Sequence, residues 1–214
     1  LNIAQNIKEI RRRAEQAGGG GNVTLVAACK AQTAEAVRQA VAAGVDAAGE
    51  NRVQELVEKD ALGAYGGVPL HFIGRLQKNK AAKVVGRVSL IHSVDSMALA
   101  ETIDNCAGKL RVVQPVLAQV NIALEETKGG FAPDSLPSAL NTMSALKNLR
   151  VRGLMCIPPP GETRYFEQMR RLFDLYRAYG LEILSMGMSD DYEAAIRAGA
   201  NMIRVGSALF GARA

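Results

Sequence analysis

The sequence predicts an α/β fold, a single-domain (β/α)₈ TIM barrel with one extra helix at its N-terminus. Three observations carry that expectation. Short Val/Ile/Leu-rich segments alternate with Ala-rich helical segments eight times along the chain. The apolar segments are mostly continuous, as expected of parallel strands covered on both faces. Eight such units are the number that closes a barrel. An open doubly wound sheet would carry a Gly-rich phosphate turn after its first strand. Here that strand runs into Ala27-Ala28-Cys29-Lys30-Ala31, with no glycine at the turn.

Taken in order, the first sixteen residues have the spacing of an amphipathic helix. A Gly18–Gly21 loop follows, then a strand over Val23–Cys29 and a helix over Ala34–Ala43 that ends at Gly44. The second strand covers Val45–Ala48, with a helix from Arg52. Leu70–Ile73 and a helix near Lys80–Val85 make the third unit, and Val88–His92 with Met97–Cys106 the fourth. Val116–Ile122 reads as the longest strand, followed by a helix over Ser135–Leu146. Arg150–Ile157 precedes three prolines and a helix near Thr163–Tyr179. Glu182–Ser185 with Asp190–Ala198, then Met202–Val205 with a short closing helix, complete the eight. No composition break divides residues 1–214, so one domain is expected.

Composition excludes several classes. The chain is 48% hydrophobic and 22% charged, as in ordinary globular proteins. With five Phe, five Tyr and no Trp, aliphatic side chains must fill the core. The net charge is +5, but the cations are scattered apart from Arg11-Arg12-Arg13, which reads as a solvated helix face. No basic stripe interleaves with aromatics, so no nucleic-acid partner is expected. Three separated cysteines and two histidines predict neither a disulfide framework nor a metal site. No apolar run approaches a bilayer-spanning length and the N-terminus lacks a signal-peptide core, so the expected location is the cytoplasm. The absence of an initial Met points to residues missing there.

In a barrel, chemistry sits where strands end at their C-terminal edge. The first strand presents Lys30 there. Partial desolvation at the mouth of an apolar strand favours the neutral amine, which forms imines with carbonyls; a lysine merely reaching solvent is the even alternative. Val205-Gly206-Ser207-Ala208 joins the last strand to the last helix, and Ser189 is expected to open the preceding one. Two helix starts with hydroxyls beside a glycine suit an anion, although ordinary caps look the same. Alternation places Met202 and Arg204 on one strand face and Ile203 and Val205 on the other. A buried arginine needs a ligand or an internal ion pair. Asn51 and Gln77 offer neutral hydrogen bonds, and His71 and His92 are expected to play structural roles.

LVAACK (25–30), GENRVQEL (49–56), HFIGRLQKNK (71–80), QVNIALEETKGGF (119–131), VRGLMCIPPP (151–160) and the long block from Leu184 to Arg213 carry a resemblance. In these blocks the chain resembles the pyridoxal phosphate homeostasis proteins, from about Ile3 to Arg213. The resemblance implies a barrel like the N-terminal domain of alanine racemase, with pyridoxal 5′-phosphate (PLP) held as a Schiff base on Lys30. It implies that Ser189, Gly206 and Ser207 hold the phosphate, that Arg204 faces the ring nitrogen, that Asn51 lies near the ring substituents, and that Met155 and Met188 line the pocket. Cys29 and Ala31 flanking Lys30, Arg75 and Ser207 depart from the family's usual residues; Ser207 keeps the hydroxyl of the usual threonine. The stop at Ala214 suggests that a usual terminal extension is absent.

What the resemblance implies for function is storage and delivery of the cofactor and amino-acid and keto-acid balance, with no established turnover. Apo forms of PLP-dependent enzymes are the implied acceptors, and a monomer is expected. An arginine at the ring nitrogen does not share a proton with it, which weakens the electron sink that amino-acid chemistry needs. The alternatives are a racemase-like PLP enzyme and a class I aldolase-like barrel using Lys30 without a cofactor.

Overall fold

A computed structural model describes residues 2–20 and 23–211. Among them eight parallel strands close into a barrel in chain order, β1-β2-β3-β4-β5-β6-β7-β8, with β8 returning to β1. The strands are β1 Thr24–Ala28, β2 Ala47–Glu50, β3 Leu70–Phe72, β4 Leu90–Val94, β5 Gln114–Gln119, β6 Leu149–Met155, β7 Ile183–Ser185 and β8 Met202–Val205. The helices are α1 Ile3–Ala14, α2 Ala34–Ala42, α3 Val53–Ala61, α4 Met97–Leu110, α5 Leu136–Ser144, α6 Arg164–Leu175, α7 Tyr192–Arg197 and α8 Ser207–Phe210. The expected barrel and its extra helix are therefore present. Of the expected segments, Gly21 in the first loop and Ala212 and Arg213 in the last block lie outside the described residues.

The extra helix α1 buries Ile3, Ile7, Ile10 and Ala14, one stripe at helical spacing. It is tied to the end of the chain by Asn6, whose Nδ2 donates to the Leu209 carbonyl at 2.9 Å. Its basic run is solvated and ion-paired: Arg11 meets Asp46 at 3.0 Å, Arg12 meets Glu9 at 2.6 Å, and Arg13 meets Glu193.

Two apolar layers follow from strand alternation. Val26, Ala47, Ile73, Leu90, Leu117, Met155 and Met202 fill the barrel interior. Leu25, Ala27, Ile203 and Val205 face the helices in the larger outer core. The division within β8 is the one its alternation predicts.

Several boundaries differ from the sequence expectation. β2 and β4 lie two residues further along than expected, because their ladders are set by pairing with β1, β3 and β5 and not by where apolar residues begin. The longest strand is β6, not β5. Val120 N–H makes the last bond to β6, to Met155 O at 2.8 Å, and the chain pairs next with its own loop, Phe131 N–H donating to Gln119 O at 2.8 Å and Asn121 N–H to Phe131 O at 3.0 Å. The helix expected near Lys80–Val85 is a 3₁₀ segment at Lys78–Lys83. The run between Gln77 and Gly86, where φ is +78°, is too short to recover the cost of nucleating an α-helix.

β6 carries a bulge: Val116 pairs with Val151 but Leu117 pairs with Gly153. The extra residue, Arg152, sends its side chain outward to Glu182. Gly153 then packs so closely on β7 that a Cβ there would lie 1.8 Å from the Ile183 carbonyl oxygen. Because that obstacle is backbone within a ladder, Gly153→Ala is expected to destabilise the protein by roughly 3 kcal/mol or more, read as a fall in the urea or thermal midpoint.

Candidate functional site

Barrel closure brings three loops together. Lys30 follows β1, the Met188–Asp191 loop follows β7, and Gly206-Ser207 follows β8. They line one cavity of about 190 Å³ with Ala28, Gln32, Arg204 and Gly211. Of the eight residues singled out from sequence, six meet here: Lys30, Met188, Ser189, Arg204, Gly206 and Ser207. The other two do not. Met155 ends β6 pointing inward and lies fully buried in the interior apolar layer. Asn51 follows β2 and lines a separate cavity of about 240 Å³ with Arg75, Asp95, Gln119 and Lys128. Its Oδ1 is buried there without a hydrogen-bond partner.

The side chain of Lys30 is exposed, contrary to the partial desolvation expected from its apolar strand. The strand ends in a turn, and the turn lifts the lysine clear of the barrel wall. Ser189 also departs from expectation. It does not open a helix; α7 begins three residues later, and Asp191 caps the loop by accepting the Met188 N–H at 2.7 Å. Ser189 Oγ instead faces the β8 loop, accepting the N–H groups of Gly206 and Ala208 at 3.2 Å each. A hydroxyl that accepts two N–H groups keeps its own proton for a further acceptor. That proton and the neighbouring Ser207 hydroxyl make an anion cradle across the cavity from Lys30. Gly206 has φ −118°, and a Cβ there would touch Ala28 only at ordinary contact distance, so the backbone itself does not demand glycine.

Arg204 is 4% exposed, and its guanidinium is held by neutral groups only. Nη1 donates to Ser185 Oγ at 2.6 Å and Nη2 to the Cys156 carbonyl at 3.0 Å. Among the described residues no carboxylate forms an ion pair with it. Burial pulls its pKa down from the ordinary arginine value, yet guanidinium stays protonated in proteins. Arg204 is thus a buried cation with no carboxylate in ion-pair contact, although the Asp191 charge acts on it from a distance, and it lines the cavity.

Arg204 heads a buried chain. Ser185 Oγ lies 3.0 Å from His92 Nδ1, and His92 Nε2 lies 3.0 Å from His71 Nδ1. The histidines thus make structural hydrogen bonds, as expected. Arginine can only donate, so the chain is satisfied end to end when Ser185 donates to His92 Nδ1 and His92 donates from Nε2 to His71. Desolvation, then the charges of His71 and Arg204, hold His92 far below the usual imidazole pKa. Burial alone lowers His71 to about 4.

A second buried cluster lies beneath the Lys30 turn and is one the sequence reasoning missed. Glu50, fully buried at the end of β2, accepts from Lys59 Nζ at 2.7 Å and the Tyr65 hydroxyl at 2.9 Å. Burial raises the Glu50 pKa; the Lys59 ammonium and the Tyr65 hydroxyl work against that rise. The signal available in sequence was the Glu55–Lys59 pair at i,i+4 on α3, which meets at 3.1 Å. Cys29, next to Lys30, is inert: burial pushes its thiol up to about 12.

A closed (β/α)₈ barrel with an exposed lysine opposite an anion cradle and a buried arginine defines a barrel of the alanine racemase N-terminal class, and the profile "Alanine racemase, N-terminal domain" matches residues 1–214. The fold is shared with alanine racemase of Clostridium difficile 630, at TM-score 0.79 and 16% identity over 99% of this chain and 60% of the racemase. Within that class the chain belongs to the pyridoxal phosphate homeostasis protein family. It is 42% identical to the pyridoxal phosphate homeostasis protein of Aquifex aeolicus, over 99% of this chain and 96% of that one. It also resembles PipY of Synechococcus elongatus PCC7942, solved without PLP (38% identity, TM-score 0.89) and with PLP bound (37%, TM-score 0.87), each covering 98% of this chain and 100% of PipY.

The histidine chain predicts a pH dependence. His71 has a folded pKa near 4 against an ordinary 6.5, so the unfolded chain binds more protons between those values. Stability should therefore be full above pH 6.5 and decline as the pH falls toward 4, with a contribution on the order of 3 kcal/mol from His71. Urea melts across pH 4–7 should show the decline, and His71→Gln should flatten it. ¹⁵N spectra should show His92 Nδ1 unprotonated throughout.

Proposed function

We propose that residues 1–214 form one cofactor-holding domain in which PLP is attached to Lys30 and kept in readily delivered form. The observation that carries the reading is the convergence of Lys30, the Ser189–Gly206–Ala208 cradle and the buried Arg204, held by neutral groups, on one cavity. When bound, PLP supplies an aldehyde that an amine captures reversibly, a phosphate dianion and a pyridine nitrogen. The residues present match each part. Lys30 is the amine. The Ser189 and Ser207 hydroxyls are donors for the phosphate, and the Gly206 and Ala208 amides hold the Ser189 hydroxyl in place for it. Arg204 is the donor for the ring nitrogen, and Met188 supplies an apolar wall. Asn51 and Met155 enter this reading only as outer supports, Asn51 from the neighbouring cavity and Met155 from below.

Holding without turnover is part of the proposal. Arg204 donates a hydrogen bond but stays charged, so it does not protonate the ring nitrogen as a carboxylic acid would. The names of the relatives support a homeostatic role, and PLP bound to PipY supports the ligand. Apo forms of PLP-dependent enzymes as acceptors, a monomeric state and a cytoplasmic location belong to the same reading. Among the described residues, no helix is long and apolar enough to cross a membrane.

Incubation with PLP should give a yellow protein whose visible band disappears on borohydride reduction, with the adduct mapped to Lys30. A protein that stays colourless and unmodified would sink the reading and favour an aldolase-like use of Lys30. Lys30→Ala should abolish trapping while retaining weak, phosphate-competed binding. Ser189→Ala should weaken PLP affinity about ten- to hundredfold, the range for losing a hydrogen bond to a charged group, as measured by equilibrium titration. Release of the α-deuteron of labelled alanine at enzymatic rates would show turnover and refute the holding role.

A further inference from the structure

Both peptide groups that flank Lys30 are tied to the buried cluster beneath it. Lys59 Nζ donates to the carbonyl of Cys29, the residue before Lys30, at 2.7 Å. Glu55 Oε2 accepts the N–H of Ala31, the residue after it, at 2.7 Å. Lys59 and Glu55 are themselves joined at 3.1 Å, and Lys59 is anchored to the fully buried Glu50. The carbonyl and the N–H on either side of the lysine thus end on one set of charges, none of which touches the cavity of Lys30.

The turn so held is one that its sequence disfavours. Gln32 N–H donates back to Cys29 O at 3.1 Å, closing a four-residue turn with Lys30 and Ala31 at its centre. Ala31 has φ +59°, a left-handed conformation that turns of this kind normally give to glycine or asparagine. An alanine persists there only if its surroundings over-determine it, and such strain clusters where geometry serves a site. The Ala31 N–H has Glu55 as its partner, and that bond is charge-assisted. Burial works against ionisation of Glu55, but the Ala31 N–H and the Lys59 ammonium outweigh it and leave the carboxyl below its usual range.

We propose that Glu55, braced by Lys59 and Glu50, is a positioning residue: it holds the strained turn at Ala31 and so fixes the base from which the Lys30 side chain reaches the anion cradle. The inference rests on the reading of Lys30 as the attachment residue. Its physical content is proximity, since an amine on a fixed base meets a cradle-bound aldehyde at a higher effective concentration than one on a turn that samples several conformations.

The test uses the full chain. Glu55→Ala should lower the equilibrium capture of PLP at Lys30 about tenfold, read from the visible band and the borohydride-trapped fraction. Inorganic phosphate should bind the cofactor-free variant within about twofold of the parent, because the cradle lies on other loops. Hydrogen exchange at the Ala31 amide should quicken. Two rescues separate positioning from general support: Glu55→Gln keeps an oxygen acceptor, and Ala31→Gly in the Glu55→Ala background removes the conformational cost. Each should recover most of the lost capture. Unchanged capture in a folded Glu55→Ala protein whose Ala31 amide exchanges faster, or a loss that neither change rescues, would overturn the proposal. If the parent protein itself binds phosphate yet forms no Lys30 adduct, the proposal falls together with the attachment reading, a failure visible before any substitution is made.

Discussion

The pairing of β8 with β1 is the constraint on which the rest of the molecule depends. Four registered pairs, from Thr24 with Met202 to Ala27 with Val205, join segments at opposite ends of the chain. That ladder sets Lys30 beside Gly206 and Ser207. Backbone hydrogen bonds are directional and a one-residue slip turns every side chain to the other face, so the register also decides which β8 side chains point inward. In this register Arg204 sits opposite Val26 with its guanidinium inside the barrel, while Ile203 and Val205 join the outer core. A site made from the first and last strands requires the barrel to be closed, which ties its integrity to the stability of the whole fold. The docking of α1 through Asn6 onto the Leu209 carbonyl reinforces the same seam.

Closure leaves an interior divided by chemistry. One part is an apolar plug of Val26, Ala47, Ile73, Leu90, Leu117, Met155 and Met202. The other is the polar chain Arg204–Ser185–His92–His71. Placing a guanidinium inside a barrel is costly unless its donors are used and its charge has somewhere to act. Ser185 and the Cys156 carbonyl use two of the donors, and the residue also lines the cavity. Neutral histidines beyond Ser185 let the chain end without a second charge, whereas a carboxylate there would neutralise Arg204 internally. The chain thus keeps Arg204 oriented and leaves its charge available at the mouth.

Much of this was legible in the sequence, for identifiable reasons. Eight apolar runs separated by helical segments gave the barrel, and period-two alternation in Met202–Val205 gave the orientation of Arg204. Lys30, Ser189, Gly206 and Ser207 could be placed because function gathers at strand ends. What failed was three-dimensional detail. The exposure of Lys30 depends on the turn after β1, and the role of Ser189 depends on a loop that runs three residues before α7 begins. Asn51 follows its strand as Lys30 does, yet it faces a different cavity, because the β2 loop leans toward β3 and Gly74. The Glu50–Lys59–Glu55–Tyr65 cluster was missed for another reason: its one trace, the Glu55–Lys59 spacing, reads as a solvated helix face, and only packing shows that Lys59 is buried.

That cluster bears on how a holder of a reactive aldehyde reconciles firmness with release. Firmness does not come from enclosure, since Lys30 is exposed at the rim of a cavity framed largely by loops. Affinity must then come from a few well-placed groups, and placement must come from below. The buried charges fix the Lys30 turn, and the histidine chain fixes Arg204. The Ser189 hydroxyl ties the β7 and β8 loops into one cradle. The buried charges and the histidine chain stay out of the cavity lining, so neither blocks the mouth. Fixing the supports also limits the conformational entropy that a ligand would otherwise have to remove on binding. A scaffold rigid beneath and open above can bind through pre-organisation and still let an amine exchange at its surface, which is what handing a cofactor onward requires.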